Sequence, residues 1–357
     1  MRKRLWVPVL VLATGVGVWA GPRLAVDEPV YDFGEVVDGV VVEHAFVLTN
    51  VGDAPLLFTR DPLPTCGCTS APLPRRQLAP GESMELVVLF DSTRYGGRRV
   101  AETVSVYTDD PEARELRLTV RGYVRRAAPH EASASTLYYR YYLLLDVRDP
   151  DAFARGHLLG AVNVPLPGLL QWLDRFPREF LVYVYDEAGE RAAQAAAQLA
   201  EAGFLARFMA GGLLGWRQAF GDLFWIGDVA TLPTEGAPYV GDHEVSPARI
   251  AQSYLVLLDL RDPGTYAQGH LPGAINLRPE EAKAWAEGLP APDGLPAGVA
   301  FAVWCLDEDG ATASAVAQEL RAAGHDAYAM IGGLAQWRLL YGESLLRAAF
   351  WGSSPGP

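Results

Sequence analysis

The pattern of apolar and polar positions changes character near Ala127. Before it, the two kinds of residue take turns. Glu115-Leu116-Arg117-Leu118-Thr119-Val120-Arg121 alternates strictly, and Val42 to Asn50, Glu85 to Phe90 and Thr103 to Tyr107 are further short β-rich runs. A period of two turns one face of each strand inward and leaves the other in water. Turn signals separate the runs at Asn50-Val51-Gly52-Asp53, Pro80-Gly81 and Asp109-Asp110-Pro111. Short strands so spaced predict an antiparallel sandwich over 25–127.

After Ala127 the apolar runs are continuous. Tyr142-Leu143-Leu144-Leu145 and Leu255-Val256-Leu257-Leu258 each end on an Asp, as expected of parallel strands buried on both faces. Arg191 to Ala202 and Thr312 to Ala323 are Ala-rich and stop at Gly203 and Gly324, which predicts two helices with glycine stops. The chain ahead of the sandwich has a third texture: Arg2-Lys3-Arg4 precedes an apolar stretch from Leu5 to Ala20. Its charge, its length and the small residues around Ala20 predict a secretory signal over 1–21, cleaved rather than kept as an anchor. That predicts an extracytoplasmic, periplasmic protein, touching the membrane only through that segment if it stays uncleaved.

The second texture is written twice. Asp146-Val147-Arg148-Asp149-Pro150, Gly156-His157-Leu158 and Gly160-Ala161-Val162-Asn163-Val164 are answered 113 positions later by Asp259-Leu260-Arg261-Asp262-Pro263, Gly269-His270-Leu271 and Gly273-Ala274-Ile275-Asn276-Leu277. Gly211-Gly212-Leu213-Leu214-Gly215-Trp216 is answered 121 positions later by Gly332-Gly333-Leu334-Ala335-Gln336-Trp337. Two copies of one domain follow from this, over 132–225 and 243–345. Gly221 to Asp242, with Pro233, Gly236, Pro238 and Gly241, has the composition of a linker between them.

Both copies resemble rhodanese domains, α/β sulfurtransferases marked by D-x-R, G-H-[IL]-x-G-A-x-N and a late G-G-x-x-x-W. The resemblance implies parallel sheets flanked by helices and an active loop headed by a nucleophilic Cys at the end of a strand. A helix start there supplies N–H groups that stabilise a thiolate. On this resemblance Cys305 takes the nucleophile position, with Leu306, Asp307, Glu308, Asp309, Gly310, Ala311 and Thr312 as the loop after it. In the first copy the spacing from Gly189 and Arg191 puts Asp186 at that position, which predicts an inactive copy. The bland reading of Cys305 is a small buried hydrophobe, and the acids at 307–309 oppose both a thiolate and an anionic donor. His157, His270 and the pairs Asp146/Arg148 and Asp259/Arg261 recur in both copies, which suggests structural roles.

The sandwich segment carries Tyr31-Asp32-Phe33-Gly34-Glu35-Val36, Cys66-Gly67-Cys68-Thr69 and Leu78-Ala79-Pro80-Gly81-Glu82, and with them resembles an uncharacterised bacterial immunoglobulin-like family. That resemblance implies a fold and an exported location only. Cys66 and Cys68 admit three readings: a tight Gly turn with two thiols, a small-ring disulfide, or part of a thiol or metal site.

Of 357 residues, 43 are acidic and 30 basic, a formal charge of −13. Nucleic acid is therefore not an expected partner. The fold expected is an all-β immunoglobulin-like sandwich followed by two α/β rhodanese-like domains. The function expected is sulfur transfer through a persulfide on Cys305, from a sulfane-sulfur donor to a thiol acceptor, with no cofactor and no resident metal. The rival expectation is an extracytoplasmic binding or scaffold protein that catalyses nothing and presents these domains to a protein partner.

Overall fold

Strand periodicity and strand burial agree in the computed structural model, which describes residues 21–172 and 176–346; the predicted signal segment lies outside them. The chain divides into two units, one ending at Arg125 and the other starting at Arg126.

The first unit holds two four-stranded sheets and a short antiparallel pair, Leu56–Leu57 with Gln77–Leu78. One orders Leu24–Val26, Val41–Asn50, Ser83–Asp91 and Thr69–Ser70; the other orders Val30–Val37, Glu115–Arg125, Arg98–Tyr107 and Leu63–Pro64. The alternation does what a period of two requires. Phe46, Leu48, Leu86 and Phe90 from one sheet and Val104, Val106, Leu118 and Val120 from the other share one core. Glu115–Arg125 runs antiparallel to Arg98–Tyr107 but parallel to Val30–Val37. The sandwich is thus not wholly antiparallel: strands this far apart in sequence need no hairpin between them. At the predicted turn, buried Asn50 donates its side-chain amide to the carbonyls of Ala54 (2.8 Å) and Leu78 (3.0 Å) and accepts from the Gly52 N–H (3.0 Å). One side chain replaces the ladder bonds that the turn gives up.

The second unit is two five-stranded sheets, and every strand pair in them is parallel. The first-copy sheet orders Val162–Asn163, Tyr142–Asp146, Leu181–Tyr185, Leu205–Met209 and Glu244–Val245. The second-copy sheet orders Glu131–Ala132, Ala327–Met330, Phe301–Leu306, Tyr254–Asp259 and Ala274–Asn276. The copies exchange edge strands. Glu131–Ala132, which leads into the first copy, pairs with Ala329 and Met330 of the second; Glu244–Val245, which leads into the second, pairs with Phe208 and Met209 of the first. The stretch expected to be only a linker contains Trp225–Gly227, which pairs with Gly156–Leu158. Trp225 packs where a side chain on Gly156 would stand, so the G-H-L glycine leaves room for an indole.

Both Asp-x-Arg motifs are buried ion pairs. Arg148 reaches Asp146 Oδ2 and donates to the Gly156 carbonyl at 2.7 Å; Arg261 meets Asp259 at 2.6 Å and the Gly269 carbonyl at 2.7 Å. The guanidinium thereby fastens the strand end to the Gly-His turn. Each histidine is pinned too: Nδ1 of His157 donates to the Phe153 carbonyl and that of His270 to the Tyr266 carbonyl, both at 3.0 Å, and each ring stacks on the aromatic residue it bonds. Burial pushes both imidazole pKa values down, which suits neutral, structural rings.

Candidate active loops

In each copy a central strand delivers its loop to the start of a helix, Glu190–Glu201 in the first and Ala311–Ala322 in the second. Sheet register decides which residue heads the loop. Asp146 lies opposite Tyr185, and its repeat partner Asp259 lies opposite Leu306. Tyr185 therefore corresponds to Leu306, Asp186 to Asp307 and Cys305 to Val184. This corrects the placement of Cys305 at the nucleophile position: it is the second-last residue of the strand Phe301–Leu306, two residues short of the loop head.

Hydrogen bonds make the same correspondence. Asp186 accepts from the N–H groups of Gly189, Arg191 (2.8 Å) and Ala192 (3.3 Å). Asp307 accepts from Gly310 (2.6 Å), Thr312 (2.8 Å) and Ala313 (3.1 Å), at identical offsets. Such a ring of N–H groups at a helix start binds an anion. Here each ring holds the chain's own carboxylate. Both aspartates are buried, and that burial pushes their pKa values up while the N–H donors pull the other way.

The late double glycine closes the loop from behind. The Leu213 N–H donates to the Asp186 carbonyl (2.9 Å) and the Leu334 N–H to the Asp307 carbonyl (2.8 Å). A Cβ on Gly212 would stand 2.6 Å from the Asp186 oxygen, and one on Gly333 would stand 2.5 Å from the Glu308 backbone. Both glycines also have positive φ, so approach and conformation require them together.

Cys305 is fully buried on the strand face that also carries Phe301 and Val303. Burial, with the nearby Asp307 charge, pushes its thiol up to about 12. A thiol so placed is neither ionised near neutral pH nor open to a donor. Of the loop acids, Asp307 is tied to the helix start, Asp309 accepts from the Ala311 N–H at 3.0 Å, and Glu308 pairs with Arg338 and, at 3.8 Å, with Arg261. The sequence from Cys305 to Glu319 holds no Lys or Arg, and both arginines arrive from other segments. In the first copy Glu187 pairs with Arg191 at 2.6 Å.

Cys66 and Cys68 form a disulfide across Gly67, where free thiols in a turn were one expectation. Their sulfurs and a Glu102 carboxylate oxygen lie within 4.8 Å of one another.

A model of the rhodanese-like domain matches residues 133–219 and 246–340, and one of a protein family of unknown function, DUF1573, matches residues 24–124. The centrosomal protein of 41 kDa of Xenopus tropicalis is 39% identical over 80 residues, covering 20% of this chain and 22% of that protein. The uncharacterised protein YqhL of Bacillus subtilis (strain 168) is 40% identical over 65 residues, covering 18% of this chain and 52% of YqhL. The matches thus span less than two thirds of either relative. Among solved structures, a thiosulfate sulfurtransferase from Pseudomonas aeruginosa aligns at 28% identity and a TM-score of 0.23, covering 57% of this chain and 40% of that one.

Proposed function

The chain belongs to the rhodanese-like domain family, and we propose that its two copies form a binding module that does not transfer sulfur. One observation carries this reading: Asp186 and Asp307 occupy the rings of loop N–H groups where a persulfide anion would have to sit. A carboxylate cannot take up sulfur, and it repels anionic donors. The persulfide route through Cys305 would need the thiol to leave a strand whose register pairs it with Leu258 and Ala329.

A cavity of about 770 Å³ supports binding instead. It lies at the opposite ends of the strands from the loops, between the copies, and Tyr142, Tyr183, Tyr254, Arg249 and Trp304 line it. Trp304 is buried behind this lining, and its indole Nε1 has no hydrogen-bond partner among the described residues.

Alkylation tests the loop reading. In the folded protein Cys305 should stay unlabelled by iodoacetamide while the unfolded chain labels fully, and folded-state labelling should stay slow as pH rises until the thiol's raised value of about 12 is approached. Folded-state labelling at neutral pH as fast as in the unfolded chain would reinstate the persulfide route. Export is part of the same proposal, supported by the segment from Arg2 to Ala20 and by a disulfide suited to an oxidising compartment. Amino-terminal sequencing of the mature protein should begin near Gly21; an intact Met1 in a cytoplasmic fraction would contradict it.

A further inference from the structure

The Cys66–Cys68 disulfide has an environment that neither rhodanese-like copy uses. We propose that it is a thiol-oxidising site that accepts electrons from substrate thiols of neutral or positive local charge. The inference rests on the sandwich alone and stands whether or not the copies transfer sulfur.

Three features support it. First, the bond closes a ring over a single intervening residue and both cysteines are only half-buried, so a nucleophile can reach it. Second, the two sulfurs are not alike. Cys68 packs against the sandwich core, and the Tyr95 hydroxyl donates to its Sγ at 3.2 Å. Cys66 does not pack there, and its Sγ accepts from the Cys68 N–H at 3.2 Å. The outer sulfur is the point of attack because Cys68 is the one covered by the core, and the Tyr95 hydroxyl is placed to stabilise the thiolate that departs on Cys68. Third, a Glu102 carboxylate oxygen lies within 4.8 Å of the sulfurs, held by the Thr65 hydroxyl at 2.7 Å, which in turn accepts from the Thr103 N–H at 3.1 Å. A fixed negative charge there slows an anionic thiol and favours a cationic one.

The chemistry balances as follows. A substrate thiolate attacks Cys66 Sγ; the Cys66–Cys68 bond breaks, and its electron pair leaves on Cys68 Sγ beside Tyr95. A second substrate thiolate then attacks the substrate sulfur of the mixed disulfide, and Cys66 leaves as a thiolate. The substrate loses two electrons and becomes a disulfide; the protein pair gains them and takes two protons from solvent.

The test uses the full chain, oxidised, with three thiols in separate arms: glutathione, cysteamine and a short reduced peptide carrying two cysteines. Each reaction is quenched with iodoacetamide and mapped by mass. The small-thiol arms should show the thiol on Cys66 and the alkyl group on Cys68. If the natural source is a protein, the peptide should be oxidised fastest; if a small thiol, cysteamine should match or exceed it. Glu102→Gln should speed the glutathione reaction about fourfold and narrow its gap to cysteamine. Tyr95→Phe should slow all arms about fivefold, through loss of one hydrogen bond to the leaving sulfur. A disulfide that survives excess of all three thiols, or adducts found on Cys68 and not Cys66, would overturn the proposal, and neither result depends on a variant that must fold.

Discussion

Arg148→Ala should destabilise the paired copies by about 3–5 kcal/mol, because it strands a fully buried Asp146 carboxylate without its counter-charge. The loss exceeds that of an exposed pair for two reasons. Asp146 lies at the end of a strand buried along its whole length, so water cannot replace the guanidinium. The same arginine also donates to the Gly156 carbonyl at 2.7 Å, which would lose its partner as well. Arg261→Ala should act alike through Asp259 and the Gly269 carbonyl. Arg148→Lys should recover only part of the loss, since an ammonium cannot serve both carboxylate oxygens and the carbonyl in one plane. Urea unfolding followed by far-ultraviolet dichroism measures this. A cost under about 1 kcal/mol would mean that the pair is exposed in solution.

Asp307→Cys should create sulfur transfer, which the proposed binding role denies to the wild type. The loop that now holds the carboxylate would present a thiol to the N–H groups of Gly310, Thr312 and Ala313, which would pull its pKa below the usual thiol value. A sulfur taken from thiosulfate would sit in the same ring of donors as a persulfide. The double variant Asp307→Cys with Cys305→Ser should be as active as the single one, which separates a loop nucleophile from any part played by the strand thiol. Asp307→Ser should remain inactive. Steady-state transfer to cyanide reads all four proteins. If Asp307→Cys folds, shown by an unchanged dichroism spectrum, and still takes up no sulfur, then the loop is closed for a reason other than its aspartate.

Much of this was readable in the sequence because it is local. The apolar runs ending in Asp146 and Asp259 became buried parallel strands, and the Ala-rich stretches became helices that end beside Gly203 and Gly324. The error over Cys305 was also local. Counting back from Gly189 leads to Asp186, and the same count from Gly310 leads to Asp307; a cysteine two residues earlier drew the nucleophile position towards itself. What could not be read is what distant segments bring together. The exchanged edge strands are only two residues long, too short for any period to mark. Arg261 and Arg338 meet Glu308 from other segments, and the cavity between the copies is built from both.

The most direct test of the central claim, that both loops are filled by their own carboxylates and leave no working thiol, is the mass of the Cys305-containing peptide from wild-type protein exposed while folded to thiosulfate and to a persulfide donor. The account predicts a Cys305 mass unchanged by either donor in the folded protein. The gain of one sulfur atom on Cys305 under native conditions would contradict it.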